Sequence, residues 1–83
     1  NSLNPSLIKV FPNPTSEELT IKTPYKLSKG VVYLYNVTGQ LVFRKELDSD
    51  FIKIPVKELE RGVYIYKVFS DKKELSKDKI LIY

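Results

Sequence analysis

The sequence predicts an all-β domain, an immunoglobulin-like β-sandwich of about seven antiparallel strands. Three observations carry that expectation. The dominant hydrophobic period is two rather than 3.6, which places alternate side chains on opposite faces of a pleated strand. Short runs rich in β-branched and aromatic residues recur at roughly 8–12 residue spacing, the pattern of sandwiches. Pro, Gly, Asn, Asp and Ser bound those runs, each a residue that ends a ladder or turns a chain.

The elements follow in chain order. Leu7-Ile8-Lys9-Val10-Phe11 reads as a short first strand, stopped by Pro12 and Pro14, which have no N–H to give a ladder. Glu18-Leu19-Thr20-Ile21-Lys22 alternates, with Leu19 and Ile21 on one face, and Thr23-Pro24 closes it. Lys26–Gly30 reads as a loop. Val31–Tyr35 is β-branched and aromatic, so it is expected to be a strand with both faces partly covered. Asn36-Val37-Thr38-Gly39-Gln40 is a hairpin connection in which Gly39 supplies a positive φ. Leu41–Leu47 is its partner strand, and Asp48-Ser49-Asp50 turns into Phe51–Ile54, which Pro55 ends. Lys57–Arg61 could form one helical turn but is far too short for a stable helix alone, and Leu59 is expected to plug the open end of the core. Gly62 starts the strongest strand, Val63–Phe69; Asp71-Lys72-Lys73 is a tight turn; Lys79–Tyr83 is the last strand.

Alternation predicts a core of Leu19, Ile21, Val32, Leu34, Val42, Ile52, Ile54, Tyr64, Tyr66, Val68 and Ile80. Tyr64 stands where sandwiches place a tyrosine corner, its hydroxyl bonding back to the preceding connection; an ordinary half-buried aromatic is the alternative. Eighty-three residues, 42% hydrophobic and 12% aromatic, suit one domain with one thin core. The chain has no Cys, so packing alone must hold it. No apolar run reaches the ~20 residues that span a bilayer. Asn1 is not a natural start and no signal-peptide pattern opens the chain, so a longer parent is expected.

Chemistry is sparse. With neither His nor Cys, the Ser-His triad, the thiolate nucleophile and the imidazole or thiolate metal site are all excluded. Glu46, Asp48 and Asp50 gather around a turn and could meet a hard cation, but they lack the glycine and terminal bidentate Glu of an EF-hand loop. Glu17 and Glu18 are neighbours on opposite strand faces and cannot act as a paired acid and base. The isolated Gly30, Gly39 and Gly62 make no phosphate cradle. Asn36-Val37-Thr38 matches a glycosylation acceptor, yet a hairpin needs those residues itself. No catalytic, cofactor or metal site is expected. The net charge of +4 divides equally between residues 1–40 and 41–83 with acids interleaved, unlike the concentrated base of a nucleic-acid footprint. Tyr33 and Tyr35 share a strand face. They suit either cross-strand stiffening, which is preferred, or stacking on sugar rings.

Four motifs, in order, carry a resemblance. They are Val10-Phe11-Pro12-Asn13-Pro14-Thr15-Ser16 before an alternating strand, Leu34-Tyr35-Asn36-Val37-Thr38-Gly39-Gln40, Leu59-Glu60-Arg61-Gly62-Val63-Tyr64, and the closing Lys79-Ile80-Leu81-Ile82. Together they resemble the type A C-terminal sorting domain of type IX secretion cargo in Bacteroidetes. Tyr83 departs from the basic residue that often closes the family's tail.

The resemblance implies residues 7–83 as the sorting domain and 1–6 as the end of a linker from a preceding cargo region. It implies a non-catalytic address, without cofactor, that crosses the periplasm and meets an outer-membrane translocon. A sortase would cut near the linker and anchor the cargo at the cell surface. Lys79, Ile80, Leu81, Ile82 and Tyr83 would carry recognition, offering backbone groups by strand addition. Pro12, Asn13, Pro14, Gly39, Gly62 and Tyr64 would position the motif. Edge strands would also offer a route to dimerisation. The alternative is a carbohydrate-binding or adhesive sandwich appended to a secreted enzyme.

Overall fold

The computed structural model describes residues 7–12 and 16–83. Asn13 and Pro14 of the opening turn, and the linker segment 1–6, lie outside the described residues. Among the described residues are seven strands: β1 (Lys9–Phe11), β2 (Glu18–Lys22), β3 (Gly30–Tyr35), β4 (Leu41–Leu47), β5 (Phe51–Pro55), β6 (Gly62–Ser70) and β7 (Lys73–Ile82). All pair antiparallel, in a three-stranded sheet of order β1-β2-β5 and a four-stranded sheet of order β4-β3-β6-β7. The expected all-β immunoglobulin-like sandwich is the observed architecture. No helix among the described residues is long and apolar enough to cross a membrane.

The core lies between the sheets because each inner face repeats apolar residues at period two. Leu19 and Ile21 of β2 stand opposite Ile54 and Ile52 of β5. Val32 and Leu34 of β3 stand opposite Val68 and Tyr66 of β6. All eight are buried, as are Tyr64 and Ile80, so ten of the eleven expected core residues pack inside. Val42 does not: it is 36% exposed. A register shift between Leu34 and Tyr35 pairs Leu34 with Phe43 and Tyr35 with Leu41, leaving Val42 as the extra residue of a bulge. The bulge reverses the alternation, so Phe43 rather than Val42 packs on the core.

The other differences are at element ends. The first strand starts at Lys9, with Ile8 buried just before it. Leu27, in the segment read as a loop, is also buried. Lys57–Arg61 forms no helical turn; the Leu59 amide donates to the Val56 carbonyl at 3.0 Å, closing a β-turn. Leu59 is partly buried against the core, as the plug reading expects. β7 starts six residues before Lys79. Its first half, Glu74-Leu75-Ser76-Lys77-Asp78, has no apolar alternation, and main-chain pairing with β6 makes it a strand. The Asp71–Lys72 turn is tight as expected, with φ of 51° and 68°. Two successive positive values define the type I′ hairpin turn.

Candidate functional site: the terminal strand and the rim around it

β7 is an edge strand of its sheet, and register divides its tail into two sets. Ile80 stands opposite Tyr64 and Ile82 opposite Gly62, facing the other sheet. Each is only 2% exposed. Leu81 stands opposite Val63 on the outer face and is 44% exposed; Tyr83 is 56% exposed. Lys79 is exposed beside them. Of the five expected recognition residues, Lys79, Leu81 and Tyr83 present side chains outward, whereas Ile80 and Ile82 are core.

Two of the expected positioning residues are cross-strand partners of that tail. Gly62 holds φ of 146°, a backbone region that L side chains rarely adopt, and this lets β6 begin directly opposite Ile82. Tyr64 is buried, and its hydroxyl donates to the Glu60 carbonyl four residues earlier. That bond is the tyrosine corner: it ties the start of β6 to its own incoming connection. Since Tyr64 pairs with Ile80, it fixes the strand on which the tail lies.

Pro12 also belongs to this end of the sandwich. It lines a shallow cleft with Ser16, Glu17, Glu18, Lys53 and Tyr83. A second cleft beside it is formed by Glu17, Val56, Leu59, Arg61 and Tyr83 among others. Tyr83 thus lines both clefts, one with Pro12 and Ser16 and the other with residues of the β5–β6 connection. The Val56 amide donates to the Glu17 carbonyl at 2.9 Å, which joins those two rims. Sequence reasoning did not single out Ser16, Val56 or Arg61 for this end. Glu17 contributes there through its main chain, for which a sequence carries no signal.

Gly39 does not line either cleft. It lies in the Asn36–Gln40 loop with φ of 87°, the positive value expected. Asn36 holds that loop. Its Oδ1 accepts from the Thr38 amide, the Thr38 hydroxyl and the Gln40 amide at 3.1, 2.8 and 2.9 Å. Its Nδ2 donates to Gln40 Oε1 at 2.9 Å. The amide of the glycosylation triplet is therefore used by the hairpin, as its sequence suggested.

The remaining polar features are structural or weak. Arg44–Glu46 at 3.5 Å and Lys53–Glu18 at 4.0 Å are exposed pairs, worth little in water. Burial pushes the Tyr66 phenol above its ordinary value; a hydrogen bond with Ser76 opposes the shift and the nearby Asp78 charge adds to it. Among the described residues, no group of three or more carboxylate side chains is arranged to hold a metal ion.

Comparison with known proteins gives the family of the chain. The chain is 34% identical over 83 residues to an endo-acting ulvan lyase of Formosa agariphila, a match covering 99% of this chain and 16% of that protein. It is 28% identical over 74 residues to a funoran endo-beta-hydrolase of Wenyingzhuangia aestuarii, covering 88% of this chain and 10% of the relative. The chain spans only about a tenth to a sixth of those curated relatives. The family model described as "Secretion system C-terminal sorting domain" matches residues 9–83, which include the opening turn, both glycine turns and the terminal strand. The chain belongs to that family, the C-terminal sorting domains that direct cargo into the type IX secretion system.

Proposed function

We propose that this sorting domain is non-catalytic and is read, as a folded module, through the outward side of its terminal strand together with the rim of its opening turn. The observation that carries the reading is the position of Tyr83. It is exposed and lines one cleft with Pro12, Ser16 and Glu17 and a second with Val56, Leu59 and Arg61, so described residues of the first motif share a rim with the last. A reader on the outer membrane would engage Lys79, Leu81 and Tyr83, while Ile80 and Ile82 keep the strand seated on β6.

In this reading the cargo reaches the periplasm first and the domain then docks on the outer-membrane translocon. A sortase-type cut near residues 1–6 releases the domain and leaves the cargo at the surface. The relatives' names, a lyase of ulvan and a hydrolase of funoran, support a polysaccharide-degrading enzyme as the cargo.

The test fuses residues 1–83 behind a periplasmically exported fluorescent reporter in a bacterium with a type IX system. The informative variant is Leu81→Ser with Tyr83→Ser, which alters the outward set and leaves Ile80 and Ile82 in place. The intact domain should bring the reporter to the surface or medium. The double variant, folded by circular dichroism, should leave it in the periplasm. Normal export of that folded variant would overturn the reading of the outward tail.

A further inference from the structure

We propose that the outer face of the four-stranded sheet binds an acidic polysaccharide, one whose carboxylates or sulfates repeat along the chain. This goes beyond the sorting function and does not rest on it. The register places Arg44, Tyr33, Lys67 and Lys77 in one row across all four strands. The next row holds Tyr35, Ile65 and Lys79. The acidic residues of this face, Glu46 and Glu74, stand in the row of Val31 and Phe69, at one end of the band. Positive charge and aromatic surface therefore coincide, with Glu46 reaching into the band only at Arg44.

The aromatic part is fixed by its own packing. The rings of Tyr33 and Phe69 meet edge to face, with centroids 5.4 Å apart at 87°. Tyr35 lies 6.2 Å from Tyr33, and the Lys67 ammonium sits 5.0 Å from the Tyr35 centroid. These cross-strand contacts stiffen the sheet, as the sequence favours, and they also hold the rings as a platform.

Arg44 is in an exposed pair with Glu46 at 3.5 Å, which a polyanion would have to displace, and the unbalanced charge lies at the two lysines. Lys67 and Lys77 are direct cross-strand partners, and like charges in that position are destabilising. No ion pair among the described residues involves either of them. A repeating polyanion laid along the row would turn that repulsion into attraction. Adjacent strands are about 4.8 Å apart, so Arg44 and Lys67 flank Tyr33 at a backbone separation of about 10 Å. That is close to the length of a disaccharide, which lets acidic groups on alternate sugars meet both cations while the sugar between them covers the ring. A flat sheet has no element projecting far enough to read a duplex groove, which favours a glycan over double-stranded nucleic acid.

The experiment is calorimetric titration of the 83-residue chain with alginate and with a sulfated galactan. Neutral agarose oligosaccharides, single-stranded DNA and phosphatidylglycerol vesicles are the comparison ligands. Both acidic polysaccharides should bind saturably, more weakly as salt rises, and the neutral one should not. Lys67→Gln with Lys77→Gln should weaken binding about tenfold or more, with an unfolding midpoint unchanged or raised. Lys9→Gln with Lys22→Gln removes the same charge from opposed lysines on the other sheet and should change binding less than about twofold. Equal loss in the two double variants would reduce the effect to net charge and overturn the proposal. So would the absence of saturation, or tighter binding to single-stranded DNA or vesicles than to either acidic polysaccharide.

Discussion

Deletion of Lys79–Tyr83 is the simplest way to ask whether a tail carries an address, and the packing makes its outcome a matter of folding first. The deletion removes Ile80 and Ile82, each 2% exposed, and the pairs Tyr64↔Ile80, Val63↔Leu81 and Gly62↔Ile82. Truncating one such buried aliphatic to Ala costs about 2–5 kcal/mol, so losing both costs about 4–10 kcal/mol before the ladder is counted. At roughly 0.05–0.15 kcal/mol per residue, an 83-residue domain has about 4–12 kcal/mol in total. The truncated chain should therefore be largely unfolded at 25 °C, with far-ultraviolet circular dichroism near that of the urea-denatured protein. Ile82→Ala alone should lower the urea midpoint by an amount equivalent to about 2–5 kcal/mol at unchanged slope. Tyr83→Ser, at an exposed position, should cost less than about 1 kcal/mol. A truncated chain that keeps a cooperative transition near the full-length midpoint would refute the assignment of Ile80 and Ile82 to the core.

Three further outcomes are expected. Gly30→Ala should destabilise by about 1–2 kcal/mol in urea unfolding: the added Cβ would lie 2.9 Å from Leu27 Cβ and 3.2 Å from Leu47 Cβ, and that overpacking exceeds the 0.4–1 kcal/mol gained from a less flexible unfolded chain. A stabilised variant would show that the Leu27 segment yields freely. Tyr64→Phe should cost about 0.5–1.5 kcal/mol for the lost bond to the Glu60 carbonyl, and more if that carbonyl finds no water; an unchanged midpoint would remove the tyrosine corner from the account. The raised Tyr66 value means that the unfolded chain loses this proton first, near the ordinary 10.0, while the folded chain keeps it. The Tyr66 contribution is thus fully present below pH 10 and lost as pH rises through the folded value, so Tyr66→Phe should flatten the alkaline fall in stability.

Alternation made Leu19, Ile21, Val32, Leu34, Ile52, Ile54 and Val68 legible as core, because period two assigns a face without reference to partners. It failed at Val42, where a bulge opposite Leu34 and Tyr35 added one residue and reversed the faces. It also missed Leu27 and Val56, single apolar residues in irregular segments that are nonetheless buried. The candidate site divides in the same way. Gly39, Gly62 and the tyrosine corner were readable, since positive φ and a hydroxyl reaching back four residues are local demands.

The sequence by itself determined the fold class, most strand positions, the turn glycines and the family, all of which depend on local conformation or on motifs in order. Only the tertiary structure decided which tail residues face out, and that Pro12 and Ser16 line one cleft with Tyr83. Those facts depend on the register of β7 against β6 and on two chain ends, far apart in sequence, arriving at one end of the sandwich. Hydrogen bonds between strands and burial between sheets fix that arrangement, and neither is written in any short stretch of residues.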